Sequence, residues 1–115
     1  MEKQRKLIRL DTDDFLEIRL LDDSVKSKGS SKNITSMGIC FSSENNWQKD
    51  QILLINYFLP DELDSVKLKV VVVWSEFIDP ESGYFCGGEI TEIEEGKEDQ
   101  FAHYYLQQLK DRFCK

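Results

Sequence analysis

Phe15–Leu21 ("FLEIRLL") sets Leu16, Ile18 and Leu20 on one side of an extended chain and Glu17 and Arg19 on the other. Period-two alternation of this kind marks a half-buried strand. It recurs at the start of Val66–Phe77 ("VKLKVVVVWSEF"), where Leu68, Val70, Val72 and Trp74 are expected inward and Lys67 and Lys69 outward. Gln51–Phe58 ("QILLINYF") is an apolar run of strand length, and Asn33–Ser43 reads as a strand interrupted by Gly38. Tyr84–Ile93 is expected to pair back on the preceding strand across "DPESG" (Asp79–Gly83), in which Pro80 presets φ for a tight turn. The polar stretch Asp22–Lys32, "ENNWQKD" and "LPDELDS" read as connections. Short strands between turn clusters predict an antiparallel barrel or sandwich.

The period then changes. At ~100° per residue, Phe101, Ala102, Tyr105, Leu106, Leu109 and Phe113 fall within one arc. Glu98 and Asp99 stand near the start of this segment, and Lys110, Arg112 and Lys115 near its end, which suits a helix macrodipole. The pattern predicts a mainly β chain: a small closed barrel over residues 14–93 with a C-terminal α-helix over residues 97–113 laid on it.

Composition narrows the class. The 115 residues suit a single domain, and a hydrophobic fraction of 40% with seven phenylalanines supports a packed core. No apolar run approaches the roughly 20 residues that cross a bilayer, and no apolar stretch follows the leading charges as a secretory signal requires. Cys40, Cys86 and Cys114 are odd in number, widely spaced and outside any C-x-x-C arrangement. That argues against a disulfide framework or a zinc site and for a reducing cytoplasm, where the glycosylation-like Asn33-Ile34-Thr35 is idle. Asp11–Asp14 ("DTDD") lacks the acidic and glycine positions of a calcium loop, so it reads as a charged turn. His103 lies off the apolar arc with no carboxylate or thiol arrangement beside it, and no nucleophile–base set suggests an enzyme.

Charge is unevenly spread. The net charge is −7, yet residues 1–40 hold eight Lys/Arg against seven Asp/Glu, and residues 41–115 hold seven against fifteen. The acidic body disfavours a DNA or RNA duplex and an anionic membrane. The cations cluster in a leading segment, residues 1–10, where "EKQRKLIRL" contains Lys3, Arg5, Lys6 and Arg9. Arg5 and Arg9 are four apart, a spacing that brings both to one side of a helical turn or an extended chain. Asn33 and Thr35 are two apart and share a face if the segment is a strand, and Gly38 follows three later. Arginine forks match the paired O6 and N7 acceptors of guanine, while an amide oxygen and a hydroxyl suit the N–H donors on its other edge.

These residues resemble a known family. "RKLIR", "NITSMG", "VVVWSE" and "GYFCGGEI" look like the PilZ domain, the bacterial receptor module for cyclic di-GMP, whose pattern is R-x-x-x-R followed by [D/N]-x-S-x-x-G. The resemblance covers nearly the whole chain. It implies a small six-stranded antiparallel β-barrel of split-barrel type with a C-terminal helix, acting as a non-enzymatic second-messenger receptor in motility or biofilm regulation. Arg5, Arg9, Asn33, Thr35 and Gly38 would then be the cyclic di-GMP ligands. Gln4, Lys6, Trp74 and Gly87 are additional candidates, and no metal or cofactor is implied. Thr35 stands where the family usually has serine, keeping the hydroxyl but adding a methyl that restricts χ1. Ordering of the leading segment over the ligand would signal to an effector protein, the chain being a monomer or homodimer. The alternative is a PilZ-like adaptor that works by protein–protein contact without nucleotide.

Overall fold

The structure, a computed structural model, describes residues 10–35, 37–60 and 63–113. Seven strands and one helix follow in chain order: β1 (Leu10–Asp11), β2 (Phe15–Leu20), β3 (Ser27–Ile34), β4 (Gly38–Ser43), β5 (Ile52–Leu59), β6 (Asp64–Asp79), β7 (Gly83–Ile93) and α1 (Glu98–Phe113). The sheet order is β1-β3-β2-β5-β6-β7-β4, and β4 pairs back on β3. Six strands therefore close into an antiparallel barrel, with β1 as an extra short strand on the end of β3. The structure thus agrees with the small barrel and C-terminal helix expected from the sequence.

Alternation builds the interior. Leu16 and Ile18 of β2, Leu53, Ile55 and Tyr57 of β5, and Leu68 and Val70 of β6 are fully buried. Each such aliphatic side chain contributes about 1.5–3 kcal/mol by leaving water. Up to Ser31 the inward positions of β3 are small or polar, which hid that part of the strand in the sequence. Ser27–Lys32, expected as part of a connection, is strand because β2 pairs along one edge and β4 along the other. The segment Asn33–Ser43 is not one interrupted strand. It is the end of β3 and the whole of β4, paired Ile34↔Ile39 across a reversal.

One polar cluster sits among these apolar residues. The hydroxyls of Tyr57 (2.6 Å) and Tyr104 both donate to Asp14 Oδ2. Ser31 is fully buried, and its Oγ accepts from Asp14 N–H at 3.0 Å and lies 2.6 Å from Thr12 Oγ1 and 3.2 Å from Tyr57 Oη. Asp14 thus ties the corner between β1 and β2 to the barrel wall and to α1. Buried polar groups persist when satisfied in this way.

The same cluster sets the rotation of the helix. Phe101 and Tyr104 are buried and pack on Tyr57, with ring centroids 5.6 and 5.9 Å away. Tyr105 and Leu109 are half-buried, whereas Ala102 is exposed and Leu106 is 53% exposed. The apolar arc read from the sequence is therefore turned toward Tyr104, because its hydroxyl has a partner inside the barrel. The side chain of Phe113 and all of Cys114 lie outside the described residues. Lys97 Nζ bonds Asp64 Oδ1 (3.1 Å) and Ser65 O (2.8 Å), pinning the helix start to β6. No helix among the described residues is long and apolar enough to cross a membrane.

Burial and the bond to Asp14 raise the Tyr57 and Tyr104 hydroxyls well above the ordinary phenol value of 10.0. The protonated phenols belong to the folded state. Their stabilisation is complete below pH about 10 and is lost as pH rises beyond it. Urea midpoints measured from pH about 8 to about 11 should fall at the alkaline end. Tyr104→Phe should shallow that fall and cost about 1–3 kcal/mol at neutral pH, since Asp14 loses a donor.

Candidate functional site

A groove of about 410 Å³ opens on the outer wall of the barrel, lined by Asn33, Thr35, Gly38, Ile39, Cys40, Val73, Trp74, Gly87 and Gly88. Four strands supply its floor. Asn33 of β3 pairs with Cys40 of β4, Cys40 with Gly87 of β7, and Gly87 with Trp74 of β6. These four residues form one cross-strand row, with side chains directed to the same face. Asp11 of β1 extends the row beyond Asn33.

Trp74 reaches this face through a bulge. Val72 pairs with Gly88 and Trp74 with Gly87, so Val73 is an extra residue in β6. Such an insertion reverses the side-chain alternation beyond it. The alternation from Leu68 places Trp74 in the core; in the structure it is 43% exposed and lies outside the barrel. Its indole rests on Gly87, where an added Cβ would lie 2.1 Å from Trp74 Nε1. Only glycine leaves room for the ring.

Thr35 lies one residue beyond the end of β3, at the reversal into β4, and not on a strand face with Asn33 as the spacing suggested. Its N–H donates to Gly38 O at 2.9 Å. Its Oγ1 accepts from the N–H groups of Met37 (3.1 Å) and Gly38 (2.9 Å). The hydroxyl therefore uses its acceptor capacity to close the turn and keeps its hydrogen as a donor. Asn33 is half-buried and lines the groove, and its side-chain amide forms no hydrogen bond to a described residue.

The remaining chemistry is sparse. Lys32 stands 5.9 Å from the Phe85 ring centroid and 3.8 Å from Asp13. Burial pushes the Cys86 thiol upward, which suits an unreactive core group, whereas Cys40 is half-buried on the groove floor. His103 is exposed on α1. Among the described residues no group of three His, Cys, Asp or Glu could hold a metal ion.

Of the candidates named from the sequence, the groove brings together Asn33, Thr35, Gly38, Trp74 and Gly87. Gln4, Arg5, Lys6 and Arg9 lie outside the described residues. Sequence reasoning missed Cys40 and Val73, whose place in the groove follows from register and a bulge that no local pattern signals.

No family model matches the sequence, and no curated protein matches it. Solved structures do resemble it. Inhibitor of motility (MotI/DgrA) from Bacillus subtilis superimposes with a TM-score of 0.75 at 18% identity, over 96% of this chain and 53% of that one. The PilZ domain of YcgR from Escherichia coli with c-di-GMP gives 0.70 at 10% identity, over 96% and 95%. The MrkH–c-di-GMP complex from K. pneumonia gives 0.71 at 14% identity, over 99% and 56%. This chain has a PilZ-like fold. It spans about half the length of MotI/DgrA and MrkH and nearly all of the YcgR domain.

The seat of the indole on this PilZ-like barrel is testable without any ligand. Gly87→Ala should drive Trp74 off β7 and shift its fluorescence, with little change at Trp47, which is buried and donates to Ser43 Oγ at 3.0 Å. Thr35→Ser should retain the turn. Thr35→Val, which strips two amides of their acceptor, should cost about 1 kcal/mol in urea unfolding.

Proposed function

We propose that the chain is a non-enzymatic receptor for cyclic di-GMP. The observation that carries this reading is the shared groove. Asn33, Thr35, Gly38, Trp74 and Gly87 were each singled out from the sequence, and all five line it. The fold supports the reading as well, since YcgR and MrkH carry c-di-GMP in structures of the same architecture.

The chemistry follows from the unused groups. The Asn33 amide oxygen accepts from the N1–H and 2-amino groups of a guanine. The exposed face of Trp74 stacks on a purine, a contact worth about 1–3 kcal/mol per base. Thr35, with its lone pairs committed to the turn, donates its O–H to a ligand oxygen rather than accepting from the base. Arg5 and Arg9 supply guanidinium forks to the phosphates and to O6/N7, as charge-assisted bonds. The route of the chain favours this. Leu10, the residue after Arg9, pairs with Ile34, and Asp11 pairs with Asn33. In the proposed cycle the leading segment changes its contacts when the ligand arrives, and an effector protein in the cytoplasm reads the changed surface.

Titration calorimetry with cyclic di-GMP, with GMP and cyclic di-AMP as controls, tests the proposal. Cyclic di-GMP alone should bind tightly. Arg9→Ala should lose at least about 2 kcal/mol, and Trp74→Ala about 1–3 kcal/mol. Absence of binding, or binding unchanged in Arg9→Ala and Asn33→Ala, would exclude this site.

A further inference from the structure

The opposite side of the barrel carries a second feature, unrelated to the groove. On the outer face of β2, β5 and β6, Glu17 pairs with Asn56 and Asn56 with Lys67. In the adjoining outward row, Arg19 pairs with Leu54 and Leu54 with Lys69. A depression of about 170 Å³ lies between these rows, lined by Glu17, Arg19, Lys26, Leu54, Asn56 and Lys67 among others.

Three observations mark this face. The first is an unused acceptor: Asn56 Oδ1 is buried at the depression and has no hydrogen-bond partner among the described residues. A buried polar atom left without a partner is costly, so a ligand that supplies a donor there is favoured. The second is charge. In a chain of net charge −7, this wall presents Arg19, Lys26, Lys67 and Lys69, with Lys28 beside Glu17 on β3. Beside the depression Glu17 is paired with Lys26 at 3.8 Å and Glu92 with Lys69 at 3.3 Å, while Asp22, Asp23 and Asp50 stand beyond it, around Ile52. Lys28 and Lys67 are exposed and make no ion pair with a described residue. The third is an apolar strip along β5, where Leu54 is half-buried and Ile52 is 37% exposed.

We propose that the outer face of β2–β5–β6 is a docking surface for an extended, acidic, partly apolar segment of a partner protein. An extended chain has free backbone N–H groups, and one of them meets Asn56 Oδ1 once the amide turns out toward the depression. Its carboxylates meet Lys67 and share Lys26 with Glu17, whose exposed 3.8 Å pair is weak, and its apolar side chains cover Leu54 and Ile52. Opposite charge across such a surface steers the encounter and selects the partner. An anionic lipid surface matches the lysines but meets the repulsion of a chain of net charge −7. A nucleic-acid duplex meets the repulsion of the acidic body. This docking surface does not depend on the cyclic di-GMP reading.

Selection of peptides from a random display library on the immobilised full chain tests it. Enriched sequences should be acidic with interspersed apolar residues. A chosen peptide should shift the amide resonances of Arg19, Leu54, Asn56 and Lys67, and its binding should weaken with added salt. Lys26→Glu combined with Lys67→Glu should weaken it at least about tenfold. Asn56→Leu should also weaken it while raising the midpoint of thermal unfolding, since the unpaired acceptor is gone. Asn56→Leu gives the same reading should the charge reversal impair folding. Enrichment of basic or neutral peptides, or shifts confined to the groove of Trp74, would overturn the proposal. So would flotation with phosphatidylglycerol vesicles that Lys67→Glu abolishes while no acidic peptide is enriched.

Discussion

The contact on which the groove depends is a ring lying on a strand with no side chain beneath it. Trp74 occupies the space over Gly87 that a Cβ would fill. The arrangement needs the glycine and also the extra residue Val73, which turns the alternation of β6 over. Neither suffices alone. A glycine opposite an inward tryptophan would leave a bare strip of backbone, and a bulge opposite a larger residue would push the indole into solvent. Together they give the barrel an aromatic wall beside an unused amide, the two kinds of group that recognise a flat heterocycle with hydrogen-bonding edges.

Asp14 does comparable work at the other end of the row. It lies three residues after Asp11, which pairs with Asn33, and its carboxylate accepts from tyrosines of β5 and α1. The chain leaving the leading segment is therefore fastened twice within a few residues. It is held by backbone pairing at Leu10 and Asp11 and by side-chain hydrogen bonds at Thr12 and Asp14. A force on residues preceding Leu10 meets a fixed point here. The tyrosines and Ser31 hold this corner to the core.

The barrel was legible where one face is apolar and the other charged, as in β2 and the first half of β6. It was illegible in the first part of β3, where the inward residues Ser27, Gly29 and Ser31 carry no hydrophobic signal; hydrogen bonding at Ser31 replaces it. The rotation of α1 was misread for a related reason. Tyr104 scores poorly in an apolar arc, yet its hydroxyl has a buried acceptor waiting. Asn33, Thr35 and Gly38 were recognisable as a set, but the part played by Thr35 was not. A hydroxyl two residues from an amide looks like a ligand contact until the reversal at Gly38 shows where its lone pairs go. Trp74 was visible as a candidate and misplaced as core, since a bulge is a property of two paired strands and leaves no mark in one.

β6 contributes to both outer surfaces, and the bulge at Val73 separates them. Before it, Lys67 and Lys69 face outward beside β5; after it, Trp74 faces outward beside β7. A single uninterrupted strand of this sequence would show the lysines but turn the tryptophan inward. The extra residue thus lets one long strand serve a cationic wall and an aromatic one without crowding either. It also keeps them apart electrostatically. The cations stand on the far side of the barrel from Asn33, so anions drawn to that wall do not compete for the groove. Screening over a Debye length of about 8 Å at physiological salt reinforces that separation. A ligand in the groove and a segment on the opposite wall can then be held at once. Two strands join the surfaces: β6, through the bulge at Val73, and β3, which carries Asn33 at one end and pairs with β2 at the other.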